Sequence, residues 1–278
     1  TPGFESLTSA HIDSELYTVF IWDRYYLKQY SQKYHKEAYY LPLASDPSVF
    51  FSRPPHPSFS CDAGFIGSIS PETNFDEARK KNGWDQWSIA FARQIIETKK
   101  INPGQPMDAI FNAVINTLSR QNQIAIRTAM ALPGFDHFIK SIDKELGTYM
   151  RFQTIKAIPS TIKTNLYGDE GWVNFIEANY NYKGKISYLE EAPLVYTSSL
   201  INLNITSNQL VDSANQRIFD VPACRGFLLT DNRPCLSELF DPGREIMVYE
   251  NVEDMKEKLI FFILSFFTQN SDPGFKLG

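Results

Sequence analysis

The chain has 278 residues, enough for one large domain or two small ones. It is 43% hydrophobic and 21% charged, the balance of a globular protein with a sizeable core. A formal net charge of -5 and a pI near 5.5 argue against nucleic acid as a partner, which would call for a basic face.

In chain order, TVFIW reads as a short buried strand, DRYYLKQYSQKY as a helix and AYYLPL as a second short strand. ASDPSVFFSRPPHPSF follows as a linker, because RPPHPS fits neither a regular helix nor a central strand. CDAGFIGSIS is a strand running into a glycine turn, and Pro71 to Lys81 begins a helix. Residues 84–150 are helical by pattern, with apolar residues at i, i+3 and i+4 in WSIAFARQII and AIFNAVINTLSRQ.

From residue 159 strands and helices alternate. TIKTNLYGD is a strand ending in a Gly-Asp turn, EGWVNFIEANY a helix, KISYLE a strand, EAPLVYTSS a short helix and LINLNIT a strand. ANQRIFDVPAC is a helix, GFLLTD a strand, LSELF a helical turn and REIMVYE a strand. NVEDMKEKLIFFI closes the series as a helix, with Asn251 as its N-cap. This rhythm predicts an α/β fold: a parallel sheet with helices on both faces, binding its ligand at the carboxyl ends of its strands.

Three cysteines (Cys61, Cys224 and Cys235) without a CxxC pair read as reduced thiols in a cytoplasmic protein. The four histidines are scattered, without HExxH or a Cys/His cluster, so no metal site is expected. The longest apolar run, LIFFILSFF, is too short to span a bilayer, and no transmembrane segment is expected. A start at TPGF, without an initiator Met, reads as a fragment or a processed chain.

Polar residues gather at three predicted strand ends: Gly67 and Ser68, Gly168 and Asp169, and Asn204 with Thr206. A glycine after a strand lets backbone approach a phosphate, although it is more often only a tight turn. Asp212 and Asp220 flank Arg217, with Ser213 as the expected N-cap and Asp220 about two turns into the helix. Acids for sugar and ribose hydroxyls, with a cation and a helix start for phosphates, would grip a sugar diphosphate. Spacing alone favours a plainer reading in which Arg217 and Asp220 lie on a solvated helix face.

NQRIFDVPACRGFLLTDNRPCLSELFDPGREIMVY resembles the CgeB-type (spore maturation protein-like) glycosyltransferases of the glycosyl transferase group 1 family. IWDRYY, YYLPLASDPSVF, FIGSIS, LYGDEGW and SYLEEAPLVYTSSLINLNIT resemble that family in the same order, over about residues 18–265. The resemblance implies a GT-B fold with a Rossmann-like donor domain. Residues 1–58 would be the end of an acceptor-side N-terminal domain and its linker. Residues 59–278 would be the nucleotide-sugar-binding domain, carrying a helical segment at 75–155.

The activity implied is sugar transfer from a nucleotide-sugar donor to a glycan, protein or small-molecule acceptor. It is metal-independent, retaining and without cofactor, as in cell-surface glycan biosynthesis. Asp212 would stand by the transferred sugar and Arg217 by the diphosphate, as the catalytic pair. Gly67, Ser68, Gly168, Asp169, Ser187, Asn204, Asn215 and Asp220 would bind the donor, with Asp220 at the ribose and Ile186 to Tyr188 beside the base.

Three departures from the family stand out. Most of the N-terminal domain is absent, Arg225 replaces the first glycine of the usual ACGG ending so that Gly226 would cap the helix, and LIFFILSFF lacks its usual neighbours. They keep open a non-catalytic binding or structural protein of a cell-surface or spore-coat assembly. A nucleotide-sugar epimerase is disfavoured by the few histidines.

Overall fold

The computed structural model describes residues 17–69, 85–130, 135–174 and 180–271. The helix expected from Pro71 to Lys81 lies outside them. The chain divides into two compact units, residues 1–68 with 151–278, and residues 69–150.

The first unit opens with a parallel pair, β1 (Val19–Ile21) and β2 (Ala38–Tyr40), joined by helix α1 (Arg24–Tyr34). Asp23 caps α1 by accepting from the Tyr25 amide at 3.0 Å, and Ile21, Tyr30 and Ala38 form a small core. A linker follows, with a 3-10 turn at Pro57–Phe59.

The main sheet holds β3 (Cys61–Ile66), β4 (Thr164–Tyr167), β5 (Tyr180–Tyr182), β6 (Ser199–Asn204), β7 (Leu228–Asp231) and β8 (Met247–Tyr249). All pairings are parallel, in the spatial order β5-β4-β3-β6-β7-β8. Counted from β3 this is 3-2-1-4-5-6, the doubly wound order, so the strand order reverses between β3 and β6 while all strands stay parallel. β4 is buried at every position, as a strand covered on both sides must be. Helices α6 (Ala192–Ser198), α7 (Arg217–Ala223), α8 (Leu236–Leu239) and α9 (Val252–Ser271) flank the sheet.

Asn251 caps α9 as expected, accepting from the Asp254 amide at 3.0 Å. Met255, Leu259 and Ile263 bury one side of α9, and the Phe262 and Phe266 rings lie 4.8 and 5.4 Å from Phe227. Phe261 and Leu264 are exposed on the other side, so the LIFFILSFF run is only half covered. No helix among the described residues is long and apolar enough to cross a membrane.

The second unit is helical: α2 (Gln86–Ile101), α3 (Met107–Asn116), α4 (Arg120–Ala129) and the first part of α5 (Phe135–Lys156). Asp85 and Ser119 cap α2 and α4 through the Ser88 and Asn122 amides. Ile95, Ile110, Ile115, Ile142 and Leu146 fill the core, with Phe91 and Phe138 stacked.

Four expectations need correction. EGWVNFIEANY is no α-helix where described: Glu170–Asn174 is a 3-10 stretch, and Tyr180 already belongs to β5. The Asp169 carboxylate takes the Gly171 amide at 3.2 Å and the Gly67 carbonyl takes Trp172 Nε1 at 2.6 Å, which fixes the start of this 3-10 stretch. KISYLE is not a strand. Tyr180–Tyr182 supplies the edge, and Gly184, at φ +82, turns the chain off the sheet before Lys185.

The third correction concerns α7, which starts at Arg217 after Gln216; Ser213 is buried short of it, and Asp220 stands in the first turn. The Val211 and Asp212 amides bond the Asp23 carboxylate, which holds that stretch out of the helix. Fourth, Arg225 itself takes the left-handed position at φ 56, and Gly226 does not. The amides of Arg225 and Gly226 bond the carbonyls of Pro222 (2.8 Å) and Val221 (2.9 Å), the paired bonds of a Schellman cap. Gly226 is needed for space, since a Cβ there would lie 2.6 Å from the Tyr196 carbonyl oxygen.

A left-handed arginine costs about 1 kcal/mol. Arg225→Gly is therefore predicted to raise unfolding stability by about that amount, and Gly226→Ala to lower it by about 2 kcal/mol. Urea titration checks both, and a less stable Arg225→Gly protein would contradict the cap. In the helical unit, burial pushes the Asp143 carboxyl up to about 6, against the opposing charge of Lys99, and leaves Oδ1 without a partner. A raised carboxyl stabilises fully below its ordinary value, and that contribution is lost as pH rises towards 6. Asp143→Asn should flatten this window and add up to about 3 kcal/mol at pH 7. Melting temperatures measured from pH 4 to 7 decide it, an unchanged profile being the contrary result.

Candidate functional site

The switch between β3 and β6 places their carboxyl ends side by side. Gly64 pairs with Asn202, and one pleat further Asn204 comes beside the end of β3. β4 lies on the other side of β3, and its end nearly touches that of β3. A Cβ on Gly168 would fall 2.2 Å from the Gly67 carbonyl oxygen, so only glycine fits there. The Gly67 amide donates to the Tyr167 carbonyl at 2.8 Å. Ser68 and Asp169 thus emerge together.

At the end of β6, Asn204 is fully buried. Its Nδ2 donates to Thr230 Oγ1 at 2.9 Å, and its carbonyl accepts from the Tyr249 hydroxyl at 2.9 Å. The Asp231 carboxylate accepts from the Thr206 amide, the Thr206 hydroxyl and Arg233 Nε at 2.7–2.8 Å, which fixes the loop after β6. Asn204 Oδ1 then faces Arg217, whose guanidinium reaches it at 3.5 Å. Burial raises the Tyr196 phenol, and the charge of Arg217 acts against that rise, so Arg217 also stands beside Tyr196.

A second guanidinium enters from α5. Arg151, half-buried, donates to the Ser68 carbonyl. Burial lowers its pKa, Arg217 lowers it further as a neighbouring like charge, and Asp169 opposes. Neither arginine makes an ion pair among the described residues. Gly67, Ser68, Gly168, Asp169, Asn204 and Arg217 therefore gather at one end of the sheet, with Arg151 as an addition that no motif in MRFQTIK announced.

The other predicted residues lie in different surroundings. Asp220 is fully buried, with its carboxylate engaged by the protein itself. Oδ1 accepts from Ser45 Oγ at 2.9 Å and Gln216 Nε2 at 3.2 Å, and Oδ2 from the Tyr188 hydroxyl. Burial and the Asp220 charge drive the Tyr188 phenol far above its ordinary pKa. Ser187 shapes the turn before α6, where its amide donates to Glu191 Oε2 at 2.6 Å and its carbonyl accepts from the Ala192 amide.

Asp212 stands near Asp23 and Arg24. Its carboxyl is raised by burial and by the like charge of Asp23, with Arg24 opposing. No hydrogen bond joins it to Arg217. Asn215 Nδ2 donates to the Ile205 carbonyl at 3.4 Å, while its Oδ1 is buried without a partner.

Residues 149–269 match a family model described as glycosyl transferase-like. No curated protein matches the chain. Among solved structures, the crystal structure of the pneumococcal O-GlcNAc transferase GtfA in complex with UDP and GlcNAc is similar at a TM-score of 0.36 and 10% identity. The alignment covers 90% of this chain and 38% of that one, so the chain spans well under half of the solved structure's length.

The Asp220 cluster yields a stability prediction. Removing a partner from a buried carboxylate leaves its charge uncompensated. Tyr188→Phe should cost about 2 kcal/mol and Asp220→Ala about 3 kcal/mol, with the double variant no worse than Asp220→Ala alone. Denaturant unfolding of all four proteins measures the coupling, and strictly additive losses would rule it out.

Proposed function

We propose that this chain is the donor-binding part of a CgeB-type glycosyltransferase of GT-B fold, transferring a sugar from a nucleotide sugar without a metal ion. The observation that carries the reading is Arg217, held by Asn204 at the switch point of a doubly wound sheet. It lies inside the segment that matches the glycosyl transferase-like family.

Sugar transfer leaves a nucleoside diphosphate on which negative charge builds as the glycosidic bond breaks. A fixed guanidinium stabilises that charge more in the transition state than in the bound donor. α7 has seven residues, so the arginine rather than a long helix dipole supplies the positive charge. Gly67 and Gly168, packed where a side chain would strike Phe65 or the Gly67 carbonyl, fix the turns that carry Ser68 and Asp169 to the site. Asn204 and Asn215 add polar contacts, and Ser187 holds the turn beside the base. Asp212, with its raised carboxyl, takes the place beside the transferred sugar.

A second reading, a protein that binds without transferring, draws on Asp220, whose carboxylate is occupied by Ser45, Gln216 and Tyr188 where the ribose contact is expected. Calorimetric titration with UDP, GDP, ADP and dTDP, with and without magnesium, tests the donor site. One of them should bind, indifferent to magnesium and at least tenfold more weakly in Arg217→Ala, the size of one charged hydrogen bond. A folded chain that binds none of the four would refute the proposal. Binding without release of sugar from any nucleotide sugar, whatever the acceptor, would favour the second reading.

A further inference from the structure

The pair of guanidiniums at the sheet switch has a consequence for ligand selection. Arg217 comes from the start of α7 and is steadied by Asn204 at the end of β6. Arg151 comes from α5 and is anchored on the Ser68 carbonyl just past β3. The strands that lead to their anchors, β3 and β6, are neighbours, about 4.8 Å apart by the spacing of any sheet.

Among the described residues, the carboxylate whose charge acts on Arg151 is that of Asp169, buried and already accepting from the Gly171 amide. Asp220, whose charge meets that of Arg217 at the Tyr188 and Tyr196 phenols, has its carboxylate engaged by Ser45, Gln216 and Tyr188. The two guanidiniums therefore stand as like charges without an ion pair among the described residues, in a half-buried place where charges repel more strongly than in water. A guanidinium presents a planar fork of five donors. Arg151 uses one bond on Ser68, and Arg217 one long bond on Asn204. Most donors of both forks are left for an anion.

We infer that Arg151 is a second phosphate-binding residue. It and Arg217 together hold the two phosphates of one diphosphate, and Arg151 makes the site prefer nucleoside diphosphates to monophosphates. The inference rests on the nucleotide reading above for the nucleoside, and on the geometry alone for the two phosphates. Arg151, anchored beside the β3 turn, takes one phosphate, and Arg217 takes the other. No bond is made or broken by Arg151; it binds charge.

The test compares the intact chain with Arg151→Gln and Arg151→Lys. Thermal melts are recorded with inorganic pyrophosphate, inorganic phosphate, and the diphosphate and monophosphate of each common nucleoside, and affinities are taken by calorimetry. The unmodified protein should bind one nucleoside diphosphate at least about tenfold more tightly than its monophosphate. Arg151→Gln should lose most of that preference, and Arg151→Lys should keep part of it.

An undiminished preference in Arg151→Gln overturns the assignment. So does a lowered melting temperature without ligand combined with an unchanged ligand-induced shift, since that is the signature of an arginine that only ties down Ser68. If Arg151→Gln fails to fold, Arg151→Lys decides: full diphosphate selectivity there contradicts a forked contact. Stabilisation by pyrophosphate that depends on Arg151, with no nucleotide bound, would keep the phosphate assignment and remove the nucleotide reading. Binding of neither removes both.

Discussion

The close approach of the β3 and β4 ends is the constraint on which the site depends. Two glycines meet there through backbone alone: Gly168 packs where any side chain would strike the Gly67 carbonyl, and Trp172 Nε1 bonds the same oxygen. A buried carbonyl with a fixed indole donor cannot shift without leaving one of them unsatisfied. Ser68 and Asp169 therefore leave the sheet at set positions, and Arg151 is placed on Ser68. The 3-10 winding of Glu170–Asn174 follows from the same packing.

Beside this backbone contact stands a polar one. Across β6, β7 and β8 the carboxyl ends are tied by Asn204, Thr230, Tyr249 and Asp231: Asn204 Nδ2 donates to Thr230 Oγ1, the Thr230 hydroxyl to the Asp231 carboxylate and the Tyr249 hydroxyl to the Asn204 carbonyl. Such networks are costly when half satisfied and rigid when complete. Here Asn204 Oδ1, not used inside the set, accepts from Arg217. Asp220 plays a different part. Through Ser45 and Tyr188 it binds the linker and the β5–α6 turn to the first turn of α7, so the carboxylate that looks most functional in the sequence is also a structural anchor.

Most elements were legible because their signals are local. The alternation of apolar strands and amphipathic helices placed β3, β4, β6, β7, β8 and α9, and turn residues marked the strand ends. The misreadings lie where long-range contacts override local pattern. Tyr180–Tyr182 becomes a strand because β4 offers it an open edge, and Lys185 to Glu190 fails to become one because Gly184 turns away. The late start of α7 depends on Asp23, distant in sequence, holding the Val211 and Asp212 amides. Arg151 was invisible for a related reason: its neighbours Ser68 and Arg217 come from other parts of the chain, and no spacing rule connects them. Gly67, Gly168, Asn204 and Arg217 could be singled out as candidates from the sequence because each sits at a strand end or a helix start.

On the proposed function, phosphates bind at the sheet switch. A crystal structure of the chain with the nucleoside diphosphate it binds best tests this most directly. The two phosphates are predicted to lie beyond the carboxyl ends of β3 and β6, with the Arg217 guanidinium in contact. Phosphates seated instead at the opposite, amino edge of the sheet, where Thr197, Arg225 and Phe227 line a cavity of about 460 Å3, would contradict it.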